Sequence, residues 1–243
     1  QAISSPNVCA TCHAKQSADW AVRAIESGAV GGRDPDAPRV PHWTDALVDR
    51  EGTPRSDAKR WLEIASDARF PELIRASAWA RYAAEASGAP PLEFLEPRFL
   101  AAGSLERLGL IEIARRLAPV PRRRLLVPLL EDKARSVRAA AAEALLDVSA
   151  TEFPKTARSA LARGLRAYRE AQEANAERPE AQVNLAGIAL AYGETEQARA
   201  AYERAIDRAP YFVPAYVNLA DLERALGRNS ASVARLREAL ALA

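Results

Sequence analysis

Apolar positions recur through most of the chain at steps of three and four residues, the period of a helix with one buried face. In 155–176 the stripe Leu161, Leu165, Tyr168 and Ala171 falls on one such face. A shorter helix is predicted over 14–27. A turn-rich loop follows it, punctuated by Gly28, Gly31, Gly32, Pro35 and Pro38. Strand-type alternation is almost absent, and alanine, arginine, leucine and glutamate dominate, which favours helix. The expected fold is therefore all-α. Trp61 and Trp79 are expected in its core.

Self-similarity sharpens this picture. Asn184-Leu185-Ala186 recurs as Asn218-Leu219-Ala220, one 34-residue step later. Gly193 recurs as Gly227, and Ala205 as Ala239, at the same step. Leu185, Gly193, Ala198, Tyr202, Ala205 and Pro210 fit the pattern of a tetratricopeptide repeat, and Tyr216, Leu219, Gly227 and Ala239 fit a second copy. Ala186, Ala220, Gln182 and Ser232 depart from that pattern by small changes. The segment thus resembles two tetratricopeptide repeats, with 155–176 as a capping helix before them. Small residues let paired helices approach, and the glycines turn the chain between them.

The middle segment is less regular. Arg75, Arg107 and Arg138 lie 32 and 31 residues apart, and each opens an alanine- or leucine-rich helix after a shorter helix and a polar turn. This resembles short HEAT-type repeats, most closely in 125–148. Arg122-Arg123-Arg124 reads as a solvated helix start, or as a docking patch for an acidic redox partner. The expected organisation is a small module over 1–55, HEAT-like repeats over 56–150 and tetratricopeptide repeats over 151–243, the last two forming an α-solenoid.

Charge adds an exclusion. Lys+Arg is 34 against Asp+Glu 32, a formal net charge of +2, with arginine as nearly all of the basic part. Such a balance argues against a nucleic-acid binder. No run of 18 apolar residues occurs, so no transmembrane segment is expected. There is no spare histidine for a Ser-His or Cys-His pair and no glycine-rich phosphate loop. The chain reads as an electron carrier rather than an enzyme.

That reading comes from Cys9-Ala10-Thr11-Cys12-His13, the C-x-x-C-H signature of covalent c-type haem attachment. Two thiols add to two vinyl groups on one porphyrin edge, and the adjacent imidazole of His13 ligates the iron from the proximal side. A thioredoxin-like pair needs a βαβ context, and no strand pattern precedes Cys9. Cys9, Cys12, His13 and His42 also make a sufficient Cys2His2 zinc set, although adjacent Cys12 and His13 converge awkwardly on one small ion. An ordinary disulfide is the third alternative. Under the haem reading, the sixth iron position is reached by elimination. The chain has no methionine, and His42 is the remaining histidine. An open site, a water or a histidine from elsewhere are the alternatives to His42. Filled by two imidazoles, the iron carries electrons and admits no substrate. Trp20 and Trp43 flank the two histidines, either against the porphyrin or as helix anchors.

The order of C-x-x-C-H, Pro41-His42-Trp43, HEAT-like helices and tetratricopeptide repeats resembles a family of bacterial multihaem cytochromes with C-terminal tetratricopeptide repeats. That resemblance implies further haems upstream, with Cys9 to His13 as the last site of the series and His42 as its distal ligand. It also implies docking to a redox partner or to copies of the same chain. A multihaem oxidoreductase acting on a small nitrogen compound is the alternative. Haem is attached in this way outside the bacterial cytoplasm, so a periplasmic or extracellular protein is expected, delivered by a signal peptide. The abrupt ends suggest a piece of a longer protein.

If His42 holds the iron, His42→Ala converts a low-spin absorption spectrum to high-spin. An unchanged spin state would assign the sixth position to another group.

Overall fold

Prolines mark where many of the helices begin. Pro71, Pro91 and Pro154 precede helices, and Pro119 and Pro179 occupy first helical positions, where a missing N–H costs nothing. A computed structural model describes His13, residues 15–27 and residues 58–242. Among the described residues there are twelve α-helices, two short 3-10 helices and no strand. The chain forms two compact units, Gln1–His42 and Trp43–Ala243.

The first unit contributes α1 (Ala18–Glu26). Ser17 starts it by accepting the Trp20 backbone N–H on its Oγ at 3.2 Å, which is why the helix begins later than apolar spacing predicts.

The second unit runs through α2 (Ala58–Ser66), α3 (Glu72–Glu85), α4 (Leu92–Ala101), α5 (Ser104–Ala114), α6 (Pro119–Leu126), a 3-10 turn (Val127–Glu131) and α7 (Arg135–Glu143). After a second 3-10 turn (Ala150–Glu152) come α8 (Lys155–Glu173), α9 (Pro179–Ala191), α10 (Thr195–Arg208), α11 (Val213–Ala225) and α12 (Asn229–Leu240). Packing is largely local in sequence. α2 packs on α3, α3 on α5, α5 on α7, and α7 on α8; then α9 packs on α10, α10 on α11, and α11 on α12. This is a helical solenoid, each layer touching mainly its neighbours.

One apolar core joins α2 through the first half of α8, with Trp61, Trp79, Leu110, Leu126, Val137, Leu161 and Leu165 all buried. Both tryptophans are core residues, as expected, and each indole N–H finds a carboxylate. Trp61 donates to Glu85 at 2.9 Å and Trp79 to the buried Glu106 at 3.2 Å. Gly109 lets α5 close on α3, because a methyl there would run into the Ala76 carbonyl. α8 therefore does more than cap the C-terminal array: its first half completes the middle core, and α8 packs on α9 as well.

The three arginines picked out by spacing occupy one structural position, the fourth residue of α3, α5 and α7. Each folds back onto carbonyls of the turn behind it. Arg75 donates to Phe70 O at 2.7 Å, Arg107 to Phe99 O at 3.2 Å and Leu100 O at 3.3 Å, and Arg138 to Asp132 O at 2.7 Å. Arg158, the fourth residue of α8, does the same to Phe153 O at 3.0 Å, and spacing alone did not reveal it. Phe99 and Leu100 lie in the last turn of α4, whose carbonyls have no partner within their own helix. Two of these arginines also reach the next layer: Arg75 pairs with Glu106 at 2.7 Å, and Arg107 with the fully buried carboxylate of Asp132.

The arginine run departs from expectation. Arg122, Arg123 and Arg124 lie within α6; Arg124 is solvated as expected, but Arg122 is buried. Each is neutralised by a different element: Arg122 by Asp147 at 2.5 Å, Arg123 by Glu152 at 2.5 Å, and Arg124 by Glu96 at 3.1 Å. Internal pairing of this kind leaves little free charge to draw an acidic partner.

Arg107→Ala strips the α4 carbonyls and leaves Asp132 buried without its cation. It should cost about 3 kcal/mol of unfolding free energy. A denaturant titration showing less than about 1 kcal/mol would mean that the tie is ornamental.

Candidate functional site

Two places are candidates: the cysteine–histidine motif and the repeat surface. Of the four residues assigned to haem, His13 is described, and it is exposed. Cys9, Cys12 and His42 lie outside the described residues, as does Trp43. The His13 ring stands 4.8 Å from the Trp20 ring, tilted by 49°. The local sequence explains this pair. His13 O accepts from Gln16 N at 2.9 Å, and the Ser17 cap starts the helix that carries Trp20 in its first turn. Trp20 thus stands beside the His13 ring from the first turn of α1.

Val22 and Ile25, one turn apart on α1, are 52% and 62% exposed, and by helical geometry they lie on the side of α1 away from Trp20. Ala21 is the one buried apolar side chain of this unit among the described residues. An exposed imidazole with an indole beside it is compatible with a porphyrin held at Cys9 and Cys12.

The repeat surface is described in full. Gly193 and Gly227 have φ of +75° and +74°, the left-handed conformation that ends α9 and α11 and turns the chain into α10 and α12. The residue after each closes the same bond: Glu194 N donates to Ala189 O and Arg228 N to Glu223 O, both at 2.8 Å. The small residues sit at the helix contacts. Ala186, Ala198, Ala205, Ala220 and Ser232 are all buried.

The departures from the repeat pattern are compensated. Gln182 and Tyr216 occupy equivalent positions one repeat apart, and each donates to the carbonyl six residues behind it. Gln182 Nε2 reaches Ala176 O at 2.7 Å, and Tyr216 OH reaches Pro210 O at 2.9 Å. Gln182 therefore does the polar work of the aromatic residue, and its Oε1 accepts from Arg204 at 3.0 Å. Burial pushes the Tyr202 phenol above its ordinary range, with the charge of Asp221 adding to the effect. Glu223 is buried and pairs with Arg199 at 2.9 Å across α10 and α11.

A polar cleft of about 720 Å³ opens where α8 meets α9, lined among others by Gln172, Asn175, Glu180, Asn184 and Tyr211. The recurring asparagine thus has a use at Asn184, which donates to Gln172 at 3.0 Å and forms part of the cleft wall.

With this geometry in place, comparison with known families gives one match: the tetratricopeptide repeat, over residues 179–212. That span covers α9, α10 and the turn after them. No curated protein and no solved structure matches the chain. The chain therefore contains a tetratricopeptide repeat within an all-helical scaffold suited to protein–protein interaction. No described helix is long and apolar enough to cross a membrane.

Tyr216→Phe removes the bond to Pro210 and should lower stability by about 1 kcal/mol. The check is a shift of the denaturant midpoint at constant slope; no shift would show that the hydroxyl is not needed at the turn.

Proposed function

We propose that this chain is an electron-transfer c-type cytochrome whose haem sits on a helical scaffold that docks partners. Cys9 and Cys12 would form the thioethers, His13 the proximal ligand and His42 the distal one. The observation that carries this is the C-x-x-C-H sequence, supported by the exposed His13 ring beside Trp20. Bound there, the iron would supply one-electron transfer. The chain's own share would be to hold the porphyrin edge and orient the imidazole, with the Trp20 indole beside it.

The middle helices are assigned to HEAT-like repeats. The support is the recurrence of an arginine at the fourth position of α3, α5, α7 and α8, each donating to a backbone carbonyl of the turn behind it. The docking role rests on the tetratricopeptide match. The partner is a redox protein or further copies of the chain, in the periplasm or outside the cell, and the longer protein is a multihaem cytochrome of bacterial type.

Produced together with a haem-attachment system, the chain should be coloured, heavier than the polypeptide by one haem, and should give sharp low-spin bands on dithionite reduction. A colourless product of bare polypeptide mass overturns the proposal. A high-spin component that shifts with nitrite or cyanide would move the assignment to a multihaem oxidoreductase.

A further inference from the structure

The imidazole of the attachment motif lies against a residue that the motif does not contain. His13 is exposed, and its ring centroid stands 4.8 Å from that of Trp20, with the two planes tilted by 49°. That separation falls in the range, about 4.5 to 7 Å, where tilted aromatic rings attract. Three local features of the sequence make the contact. His13 O accepts from Gln16 N at 2.9 Å and closes the turn after the motif. Ser17 O then accepts from Trp20 N at 3.1 Å and from Ala21 N at 3.3 Å, which winds the first turn of α1. Ser17 Oγ accepts from Trp20 N at 3.2 Å as well, so one serine holds the Trp20 backbone twice. Backbone bonds thus deliver the indole to the imidazole. The indole residue is half-buried where the imidazole is exposed, so the better-held ring of the pair is that of Trp20.

We propose that Trp20 is the positioning residue for His13: the indole fixes the plane of the imidazole that ligates the haem iron. The proposal rests on the haem reading and adds to it a residue outside C-x-x-C-H. A histidine ring turns about a broad torsion, so an exposed one has little to set its plane. In metal sites that task usually falls to an oxygen that accepts the ring's second N–H. Among the described residues no such oxygen is bonded to the His13 ring, and its neighbour is an indole, whose one polar atom is a donor. Trp20 therefore acts by contact. Rotation of the imidazole would either drive it into the indole or part the two rings. The benefit is electronic. Overlap between imidazole and iron orbitals follows the plane of the ring, so a held plane gives every molecule the same ligand field. Val22 lies on the other side of α1 by helical geometry and has no part in this contact.

The test uses the full chain carrying haem, in its native sequence and as Trp20→Ala, Trp20→Phe and Val22→Ala. Protein mass counts the haem. Electron paramagnetic resonance of the oxidised form reads the imidazole plane, because low-spin g-values depend on it. The native chain, Trp20→Phe and Val22→Ala should each give one sharp set of g-values. Trp20→Ala should keep its haem mass but give a broadened or multiple set. A native-like signal from Trp20→Ala overturns the proposal. So does a Trp20→Phe signal as disordered as that of Trp20→Ala, since another ring in that seat should serve. A Val22→Ala signal as disordered as that of Trp20→Ala overturns it too, because the whole helix and not the contact would then set the plane. If Trp20→Ala is recovered without haem, Trp20→Leu takes its place in the same comparison. A native chain of bare polypeptide mass overturns the haem reading and this proposal with it, and mass alone tells that outcome from the others.

Discussion

A guanidinium reaching backwards is what the middle of this molecule depends on. Its helices are short: α4, α5, α6 and α7 have 10, 11, 8 and 9 residues. Helices of that length do not hold by themselves in water, and each leaves carbonyls at its C-terminal end without partners. At α4 the arginine at the fourth position of the next helix meets that need, because its planar fork carries enough donors to serve a turn and a carboxylate together. Arg107 serves two carbonyls of α4 and the carboxylate of Asp132 from one side chain. A lysine has neither the reach in two directions nor the planar geometry. The arginine-rich composition is thus partly structural, and the many acids that balance it are frequently partners from neighbouring layers.

The C-terminal half solves the same problem differently. There the helices are longer, and alanines at the crossings let them approach until backbone packs near backbone. Glycines in the left-handed conformation close α9 and α11 with backbone bonds alone, so no arginine is needed at those turns. α8 bridges the two solutions. It carries the last backward arginine, Arg158, in its first turns, fills the middle core with Leu161 and Leu165, and packs on α9. A solenoid joined through one shared helix transmits position from layer to layer, which is the mechanical property a docking scaffold needs.

What could be seen in the sequence follows from which interactions are local. The 34-residue period showed itself because its residues are chosen by contacts inside one repeat, where small side chains and glycine are obligatory. Trp61 and Trp79 were legible as core for the ordinary reason of size. Arg75, Arg107 and Arg138 stood out by spacing, but their task did not, since it depends on carbonyls that only the fold brings near. Arg158 was hidden because α8 follows α7 after a short turn, which breaks the 31- to 32-residue rhythm. Arg122, Arg123 and Arg124 were misread for a related reason: their acids lie 25, 29 and 28 residues away and belong to three different elements. At the motif, Cys9, Cys12 and His42 were legible as chemistry alone. His13 and Trp20 gained geometry because a serine cap fixes the helix between them.

The proposed haem also answers a structural difficulty of the first unit. Its described helix buries Ala21 but leaves Val22 and Ile25 open to solvent. Covalent links and metal ligation are common staples where apolar burial is small. Two thioethers and two axial imidazoles would tie residues 9, 12, 13 and 42 to one rigid plane, closing the chain between positions 13 and 42 into a loop. On this view the group that carries the electron also fixes the fold of the segment that holds it.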